Sequence, residues 1–210
     1  MTKEEQAFAI ALMREDYATY CYFVHKGKWI DTKFHRFLAD KVQTFVETVT
    51  GNPYDILVLS TPPQHGKSMT ITETLPSWVM GRFPEWRIIL GSYNDESADR
   101  FSRRNKEKVR AFGKTLFGVE IGRIDRATEF ELDGHLGRLI SRGIMSGVTG
   151  NPANLMIIDD PIKNRAEADS PTYRRKLWDE WQNSFKSRLA AHAKVIVIAT
   201  PWHEDDMMAA

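Results

Sequence analysis

The stretch "ILVLSTPPQHGKS" (residues 56–68) joins an apolar, β-branched run to a sharp turn that ends in Gly-Lys-Ser. The run predicts a buried strand. The residues from Ser68 onward predict a helix through Trp78, with Pro76 kinking or ending it. Phosphate-binding loops have this arrangement of strand, turn and helix, so the segment predicts an α/β fold with a phosphate site.

The chemistry of such a loop assigns a role to its last residues. Backbone N–H groups converge on phosphate oxygens, Gly66 lets the backbone come close, and Lys67 reaches the β- and γ-phosphates. The Ser68 hydroxyl is the expected Mg²⁺ ligand. Thr61 replaces the first glycine of the usual pattern, so an ordinary turn remains the alternative. The Pro62-Pro63 pair indicates a rigid loop that does not need that glycine. The residues predicted to contact the nucleotide are Gln64, His65, Gly66, Lys67, Ser68 and Met69.

Two carboxylates end a second apolar run, "LMIIDDP". A buried strand that ends in acids costs desolvation energy unless a cation needs them. In nucleotide hydrolases the first acid holds the Mg²⁺ shell and the second polarises the attacking water, which predicts these roles for Asp159 and Asp160. The alternative is a turn or helix cap formed by Asp-Asp-Pro.

A third apolar run, "VIVIATPWHEDD", ends near the last residue of the chain. Thr200 follows the strand directly, where its hydroxyl can contact the γ-phosphate or the attacking water. The four residues His203, Glu204, Asp205 and Asp206 resemble a metal site in composition. Consecutive residues at a strand exit rarely converge on one ion, so we expect a loop with a sensing role.

The other periodic segments complete the α/β pattern. Residues 87–93 read as a second buried strand, and residues 128–141 alternate around Asp133-Gly134 as in a β-hairpin. Short apolar strands that alternate with helices predict a mostly parallel sheet, whose ligands bind at the carboxyl ends of the strands. The three polar strand ends described above should therefore lie together.

Capping patterns predict where several helices begin. Thr2 and Glu5 have capping-box spacing before a first amphipathic helix. Asp31 is expected to cap a second helix, and Asn94 or Asp95 to cap a third.

Composition limits the class of protein. The chain has 210 residues, 42% of them hydrophobic, and one cysteine. This length supports a core without disulfides, and a lone Cys21 fits a reducing compartment. The sequence has no long apolar run, and its first residues carry acids where a signal peptide is basic. We expect a soluble, cytoplasmic protein without a membrane partner.

Charge is uneven along the chain although the formal net charge is only +1. Residues 100–126 hold nine Lys and Arg against three Asp and Glu. Such a segment is either a basic surface that binds phosphates or a solvated helix face.

Four segments, taken in order, resemble the large terminase subunits of tailed bacteriophages, the motors that pump DNA into procapsids. They read "PPQHGKS", "GSYNDESADRFSRRNKEKVR", "LMIIDDPIKNRAEA" and "IATPWHEDD". The resemblance implies a P-loop NTPase core of the RecA-like, ASCE type, with one extra strand between the phosphate-loop strand and the acidic strand. It further implies ATP and Mg²⁺ as cofactors and double-stranded DNA, a portal protein and a small terminase subunit as partners. The family works in the host cell cytoplasm as a ring, expected to be a pentamer, and the isolated chain is expected to be a monomer.

The resemblance also implies roles for individual residues. Lys67 and Ser68 match the phosphate-loop lysine and hydroxyl, and Asp159 the Mg²⁺-associated acid. Asp160 occupies the position of the catalytic glutamate of many relatives. Since aspartate is one methylene shorter, either the water lies closer or a further acid, such as Glu167, contributes. Two more residues, Trp29 and His35, are placed beside the adenine, and Thr200 falls in the segment similar to the coupling motif.

A trans-acting arginine is harder to assign. Relatives carry it in the loop before the acidic strand, where this sequence has Asn151. Arg142 is the preferred candidate, with Arg103 and Arg104 as alternatives.

The expected organisation is an N-terminal helical segment (residues 1–50) packed on an ATPase core (51–210). The resemblance implies a nuclease domain that we expect to be absent from this chain, either because an ATPase domain with a native start was cloned or because the chain is naturally truncated. Besides a DNA-translocating ATPase, two alternatives stay open. One is a RecA-like helicase, and the other is a nucleotide-binding assembly module with little hydrolysis, which Thr61 and Asp160 motivate.

Overall fold

A computed structural model describes residues 2–62, 64–148, 150 and 152–200. Its centre is a seven-stranded sheet in the order β1-β7-β6-β2-β5-β4-β3. The neighbours from β1 to β5 in this order pair in parallel, and β4 and β3 add an antiparallel edge. The strands are β1 (Tyr54–Ser60), β2 (Arg87–Ser92), β3 (Ile121–Asp125), β4 (Glu129–Leu132), β5 (Arg138–Gly143), β6 (Ala153–Asp159) and β7 (Leu189–Ala199).

The helices lie before the sheet in sequence and between its strands. They are α1 (Lys3–Glu15), α2 (Tyr17–Val24), α3 (Lys33–Glu47), α4 (Lys67–Thr70), α5 (Leu75–Arg82), α6 (Asp95–Lys108), α7 (Lys114–Phe117), α8 (Arg165–Asp169) and α9 (Pro171–Glu180). Five-residue π-helical segments continue α6 and α9. Within the described residues, every helix is too short or too polar to cross a bilayer.

Both faces of the sheet are covered, which explains why its central strands are continuously apolar. Ile157 and Leu90 point into one core, which they share with helices α1, α2, α3 and α5. Their neighbours Ile158 and Ile89 point to the opposite face, where Phe185 and other residues of the 171–185 helical segment cover them. This alternation follows from the two-residue period of a strand. The predicted α/β class is confirmed, and β7 lies between β1 and β6 as the family resemblance implied.

The hairpin expected near residues 128–141 is confirmed. Strands β4 and β5 pair in antiparallel register, with Phe130 opposite Leu139. Gly134 has a φ of 71° in the connecting turn, a conformation that glycine adopts without steric cost. Helices α2 and α8 and strand β3 are among the elements that were not predicted.

The capping predictions are partly confirmed. Thr2 and Glu5 form the expected reciprocal capping box of α1. Asn94, one of the two candidates, caps α6 by accepting from the Ser97 N–H. The prediction for Asp31 is wrong, because Thr32 caps α3. Asp31 instead forms an ion pair with Arg36.

The prediction of one continuous helix from Ser68 through Trp78 is wrong. The helix is interrupted after α4 by a turn at residues 71–74, and a new helix, α5, begins at Leu75. Pro76 lies in the first turn of α5, where a helix does not use the N–H that proline lacks. Pro76 therefore helps to start a helix and does not kink or end one.

The N-terminal helices are fastened to this same region by polar contacts. Tyr17 donates its hydroxyl hydrogen to the Thr70 carbonyl, and the Tyr20 hydroxyl lies 2.9 Å from that of Ser77. Both tyrosines are fully buried, and burial raises the pKa of the Tyr17 and Tyr20 phenols well above the ordinary value, so that both remain neutral donors. These contacts pack helix α2 against α4 and α5, the two helices that follow the turn after β1.

Candidate nucleotide-binding site

The loop after β1 has the backbone geometry of a tight phosphate-binding turn. Its left-handed positions are Gln64, with a φ of 63°, and Gly66, with a φ of 72°. A Cβ on Gly66 would lie 2.7 Å from Nε2 of His35, so a larger residue would be strained by the positive φ and would also require the imidazole to move. Thr61 is not among the left-handed positions, and the loop therefore does not need the missing glycine. The Thr61 hydroxyl is buried without a hydrogen-bond partner among the described residues.

Lys67 begins α4 and brings the three polar strand ends together. Its buried ammonium lies 3.3 Å from Oδ1 of Asp160, which follows β6, and 3.1 Å from Oγ1 of Thr200, which follows β7. The Thr200 N–H also donates to Asp160 Oδ1 at 3.2 Å. Because β1, β7 and β6 are neighbours in parallel, their carboxyl ends meet at one edge of the sheet.

Asp159 ends β6 with a buried carboxylate that is only half satisfied. Oδ2 accepts a 2.6 Å hydrogen bond from the Thr72 hydroxyl, whereas Oδ1 is buried without a partner among the described residues. The backbone carbonyl of Asp159 accepts from the Ser92 hydroxyl at the end of β2. Burial raises the pKa of this carboxyl to about 6, against smaller lowering effects from the hydroxyls of Thr72 and Ser68 and from the Lys67 ammonium.

This half-satisfied carboxylate fits a divalent cation. A buried oxygen without a hydrogen bond is costly, and a hard cation with oxygen ligands, such as Mg²⁺, would relieve that cost directly or through water. Ser68 is near enough to Asp159 to favour the ionised form without completing a hydrogen bond to Oδ1. No cluster of three His, Cys, Asp or Glu side chains able to hold a metal occurs in the described ranges.

Asp160 has a strained backbone and an accessible side chain. Its φ is 43°, which aspartate tolerates better than most residues, and its N–H donates to the Ile198 carbonyl. The side chain is 40% exposed, whereas Asp159 is buried, so Asp160 is the acid of this pair that is open to solvent. A cleft of about 160 Å³ opens between these acids and α6, and its lining includes Ser68, Glu73, Ser92, Arg100, Asp159 and Asp160.

Sequence reasoning missed several of these contacts. Ser92 ends β2 and is the last residue but one of the predicted strand 87–93, so inspection of the strand ends would have found it. Thr72, Glu73 and Arg100 lie in an interhelical turn or on a helix, and no local pattern distinguishes them from ordinary surface or core residues.

The residues predicted beside the adenine lie near the loop but differ in access. Trp29 is 1% exposed and donates its indole N–H to the Thr70 hydroxyl. His35 is half-buried and packs against Trp29 and Gly66, with Nδ1 near the Thr32 hydroxyl. An adenine contact stays a prediction for both, and the burial of Trp29 does not favour it.

The remaining loop residues point in different directions. Gln64 and His65 are exposed, whereas Met69 is half-buried and packs against the core. The proposed alternative acid, Glu167, accepts from the Lys163 N–H and its own N–H is capped by Asn164, so it has a structural role in starting α8.

The candidates for a trans-acting arginine lie outside the cluster formed by Lys67, Asp160 and Thr200. Arg142, at the end of β5, is half-buried and donates to the Ser141 carbonyl. Across the sheet, Arg142 is paired with Gly91 of β2. Gly91 is in turn paired with Ile158 of β6, the residue before Asp159. Arg103 and Arg104 are exposed on α6. Asn151 and the four C-terminal residues His203, Glu204, Asp205 and Asp206 lie outside the described residues.

The basic segment 100–126 is not a uniform exposed stripe. Lys106 lies 3.0 Å from Asp125, Arg110 pairs with the same carboxylate, and Lys114 pairs with Glu120. Lys108 turns inward and donates to the Glu73 carbonyl, and burial lowers the pKa of its ammonium to about 8. The exposed cationic residues of α6 are Arg100, Arg103 and Arg104, and the helix also exposes Asp95, Glu96 and Glu107.

The fold and this site together define an α/β protein with a phosphate-loop-like strand, turn and helix at the carboxyl edge of a mostly parallel sheet. The family model for the N-terminal part of T4-like-virus-type large terminase subunits matches residues 58–209, and the chain belongs to that family. No curated protein matches the sequence.

The solved structures that are similar to the chain include the following two. The large terminase of bacteriophage HK97 is 14% identical, with a TM-score of 0.59 over 100% of this chain and 40% of that chain. The N-terminal domain of the DNA packaging ATPase from bacteriophage phi29 is 15% identical, with a TM-score of 0.41 over 76% of each chain. The first likeness supports the fold, and this chain spans less than half the length of the HK97 protein.

Proposed function

We propose that this chain is the ATP-hydrolysing domain of a phage DNA-packaging motor that translocates double-stranded DNA into a procapsid. The observation that carries the proposal is the convergence of Lys67 with Asp160 and Thr200, at 3.3 and 3.1 Å, beside the half-satisfied carboxylate of Asp159. Membership of the large terminase family supplies the DNA-packaging context.

The chain's own residues divide the work of phosphoryl transfer to water. The loop backbone and Lys67 bind the β- and γ-phosphates of ATP, and Thr200, beside Lys67, contacts the terminal phosphate. When Lys67 turns to the phosphates, Asp160 is released to orient the attacking water. Ser68 and Asp159 would hold Mg²⁺, which neutralises charge on the phosphate oxygens when bound.

The assembled state belongs to the same proposal. A ring of this chain, expected to be a pentamer, would act with a portal protein and a small terminase subunit in the host cell cytoplasm. In each subunit, the N-terminal helical segment (residues 1–50) would pack on the ATPase core (residues 51–210). A neighbour's arginine, with Arg142 as first candidate and Arg103 or Arg104 as alternatives, would neutralise developing charge. Such arginines raise turnover by about 10³- to 10⁵-fold in other nucleotide hydrolases.

The decisive experiment measures ATP hydrolysis as a function of protein concentration, with and without double-stranded DNA. We expect slow hydrolysis that rises faster than protein concentration, because each subunit lacks its neighbour's charge when dilute. Strict proportionality would count against a neighbour-supplied group. Lys67→Ala should abolish turnover and keep the fold by circular dichroism, with Lys3→Ala, an exposed lysine at the start of α1, as the matched control. Turnover at the wild-type rate in Lys67→Ala would refute the proposal.

A nucleotide-binding assembly module is the second candidate. It is favoured by one observation, the ion pair that occupies Asp160 with Lys67 and so withholds both from catalysis. Tight ATP binding without turnover, even at high protein concentration and with DNA, would support this module and exclude the motor.

A further inference from the structure

A buried hydrogen bond links the acid of β6 to a turn outside all the motifs of the sequence. Thr72 lies in the turn between α4 and α5, is fully buried, and donates its hydroxyl hydrogen to Oδ2 of Asp159 at 2.6 Å. A carboxylate in an apolar strand end can rotate about its χ2 torsion unless a partner holds it. With Oδ2 held by Thr72, Oδ1 is the oxygen left without a partner, in the space beside Ser68.

The turn that carries Thr72 is itself held by α6. The Asn105 side-chain amide donates to the Thr72 carbonyl at 2.8 Å and to the Phe101 carbonyl at 2.9 Å. Its carbonyl oxygen accepts from the Ser77 N–H, in the first turns of α5, at 3.0 Å. Asn105 is fully buried, so these bonds are made in an environment where an unpaired amide would be costly. One side chain of α6 therefore fixes the turn on both sides of Thr72.

We infer that Thr72 is a positioning residue for the Mg²⁺–nucleotide site, acting through Asp159, and that Asn105 holds Thr72 in place from helix α6. The inference rests on the proposed function and deepens it. A partner that orients a metal-binding carboxylate fixes the direction of its lone pairs, and loss of such a partner typically weakens metal affinity by about 10- to 100-fold. The same chain of bonds connects α6, whose outer face carries Arg100, Arg103 and Arg104, to the chemistry at the sheet edge.

The test compares Thr72→Val with Thr72→Ser. Valine keeps the shape and removes the hydroxyl, whereas serine keeps the hydroxyl. A fluorescent ATP analogue is titrated into each protein without metal, and MgCl₂ is then titrated into the complex. For Thr72→Val we expect unchanged metal-free affinity, about 10- to 100-fold weaker Mg²⁺ affinity, and a fall in kcat at matched Mg²⁺. Thr72→Ser should restore most of the Mg²⁺ affinity.

Thr74→Val is the matched control, because Thr74 is a buried threonine of the same turn. Its hydroxyl donates to the Met69 carbonyl and lies 2.8 Å from Nε2 of His25, and neither contact involves Asp159. It should lower the melting temperature about as much as Thr72→Val and leave Mg²⁺ affinity unchanged. If Thr72→Val does not fold, Thr72→Ala, which also lacks the hydroxyl, carries the same expectation.

The experiment distinguishes a failure of the inference about Thr72 from a failure of the proposed function. Wild-type Mg²⁺ affinity in folded Thr72→Val or Thr72→Ala would overturn the inference and leave the proposed function intact. A wild-type protein whose nucleotide binding does not respond to Mg²⁺ would overturn the proposed function, and the inference with it. Equal weakening by Thr72→Val and Thr74→Val would show a general packing effect and also overturn the inference.

Discussion

The two ends of the β1–β7 strand pair carry lysine–aspartate pairs of opposite character. At the amino end, Asp55 is in register with Lys194, and their side chains meet at 2.6 Å. Asp55 also accepts hydrogen bonds from Asn52 and Thr50. At the carboxyl end, the ion pair between Lys67 and Asp160 is longer, at 3.3 Å. The acid next to Asp160, Asp159, keeps a buried oxygen without a partner among the described residues.

The difference appears in the direction of the pKa shifts. Hydrogen bonds from Asn52, Lys194 and Thr50 lower the pKa of Asp55, so its environment favours the charge. Burial raises the pKa of Asp159 to about 6, so its environment opposes the charge. A satisfied pair stabilises a fold, whereas an unsatisfied acid at the carboxyl edge of a parallel sheet indicates a binding site. Matched substitutions at the two ends can break or sharpen this contrast.

The largest effect is expected from Asp159→Asn. Removing the charge should lower Mg²⁺-dependent hydrolysis by about 100-fold or more, because a metal supplies several kcal/mol of charge stabilisation in such reactions. The melting temperature in metal-free buffer at pH 8 should stay the same or rise, since a buried, half-satisfied charge is lost. A large fall in melting temperature with hydrolysis retained would make Asp159 a structural residue, contrary to the comparison.

Asp55→Asn should give the reverse pattern. Lys194 is 4% exposed and would lose its counter-charge, so we expect the melting temperature to fall by about 5 °C or more. Hydrolysis per folded molecule should be unchanged at a temperature where both proteins are folded. Calorimetry and the hydrolysis assay on one preparation provide the measurement, and loss of turnover without loss of stability would contradict the structural role.

The smallest effect is the pH dependence of Mg²⁺ binding. Only the ionised carboxylate binds the cation, so Mg²⁺ affinity should fall about twofold by pH 6, where half of Asp159 is protonated, and about tenfold per unit below that. Titration of the nucleotide complex with MgCl₂ between pH 5 and 8 measures it. Affinity independent of pH over this range would place the pKa elsewhere.

The sign for stability follows from the same values. The folded pKa of Asp159 lies above the ordinary 3.8, so the folded protein takes up the proton first. Its contribution to stability is therefore present at low pH and is lost as pH rises from about 4 through 6. The contribution of Asp55 to stability depends on pH in the opposite direction. It is present above the ordinary pKa and is lost as pH falls through the lowered value.

Much of the architecture could be predicted because it depends on local patterns. The continuous apolar runs identified β1, β2, β6 and β7, four of the five strands that pair in parallel, and Asp133-Gly134 identified the hairpin turn. The helix after β1 was predicted too long, because the sequence does not show that Thr72 bonds to a distant acid and that the chain turns there. In that case a tertiary contact outweighs helical periodicity.

The charge of the basic segment shows the same limit. Nine cationic residues in sequence suggested a surface, yet Lys106 and Lys108 point inward to Asp125 and to the Glu73 carbonyl. Which side of α6 faces the sheet depends on how the helix docks, and a count of charges along the chain does not contain that information. The exposed arginines of α6, together with Arg110, Lys114, Arg123 and Arg126 beyond its end, are what remains of the predicted basic surface.

By itself, the sequence determined which residues end the parallel strands, and therefore that Lys67, Asp159, Asp160 and Thr200 share one edge, because strand direction and apolar period are local properties. Only the tertiary structure decided which of those groups are satisfied and which are not. Partner choice depends on the strand order and on helix docking, which bring Thr72 to Asp159 and Asn105 to Thr72 from positions far apart in the chain.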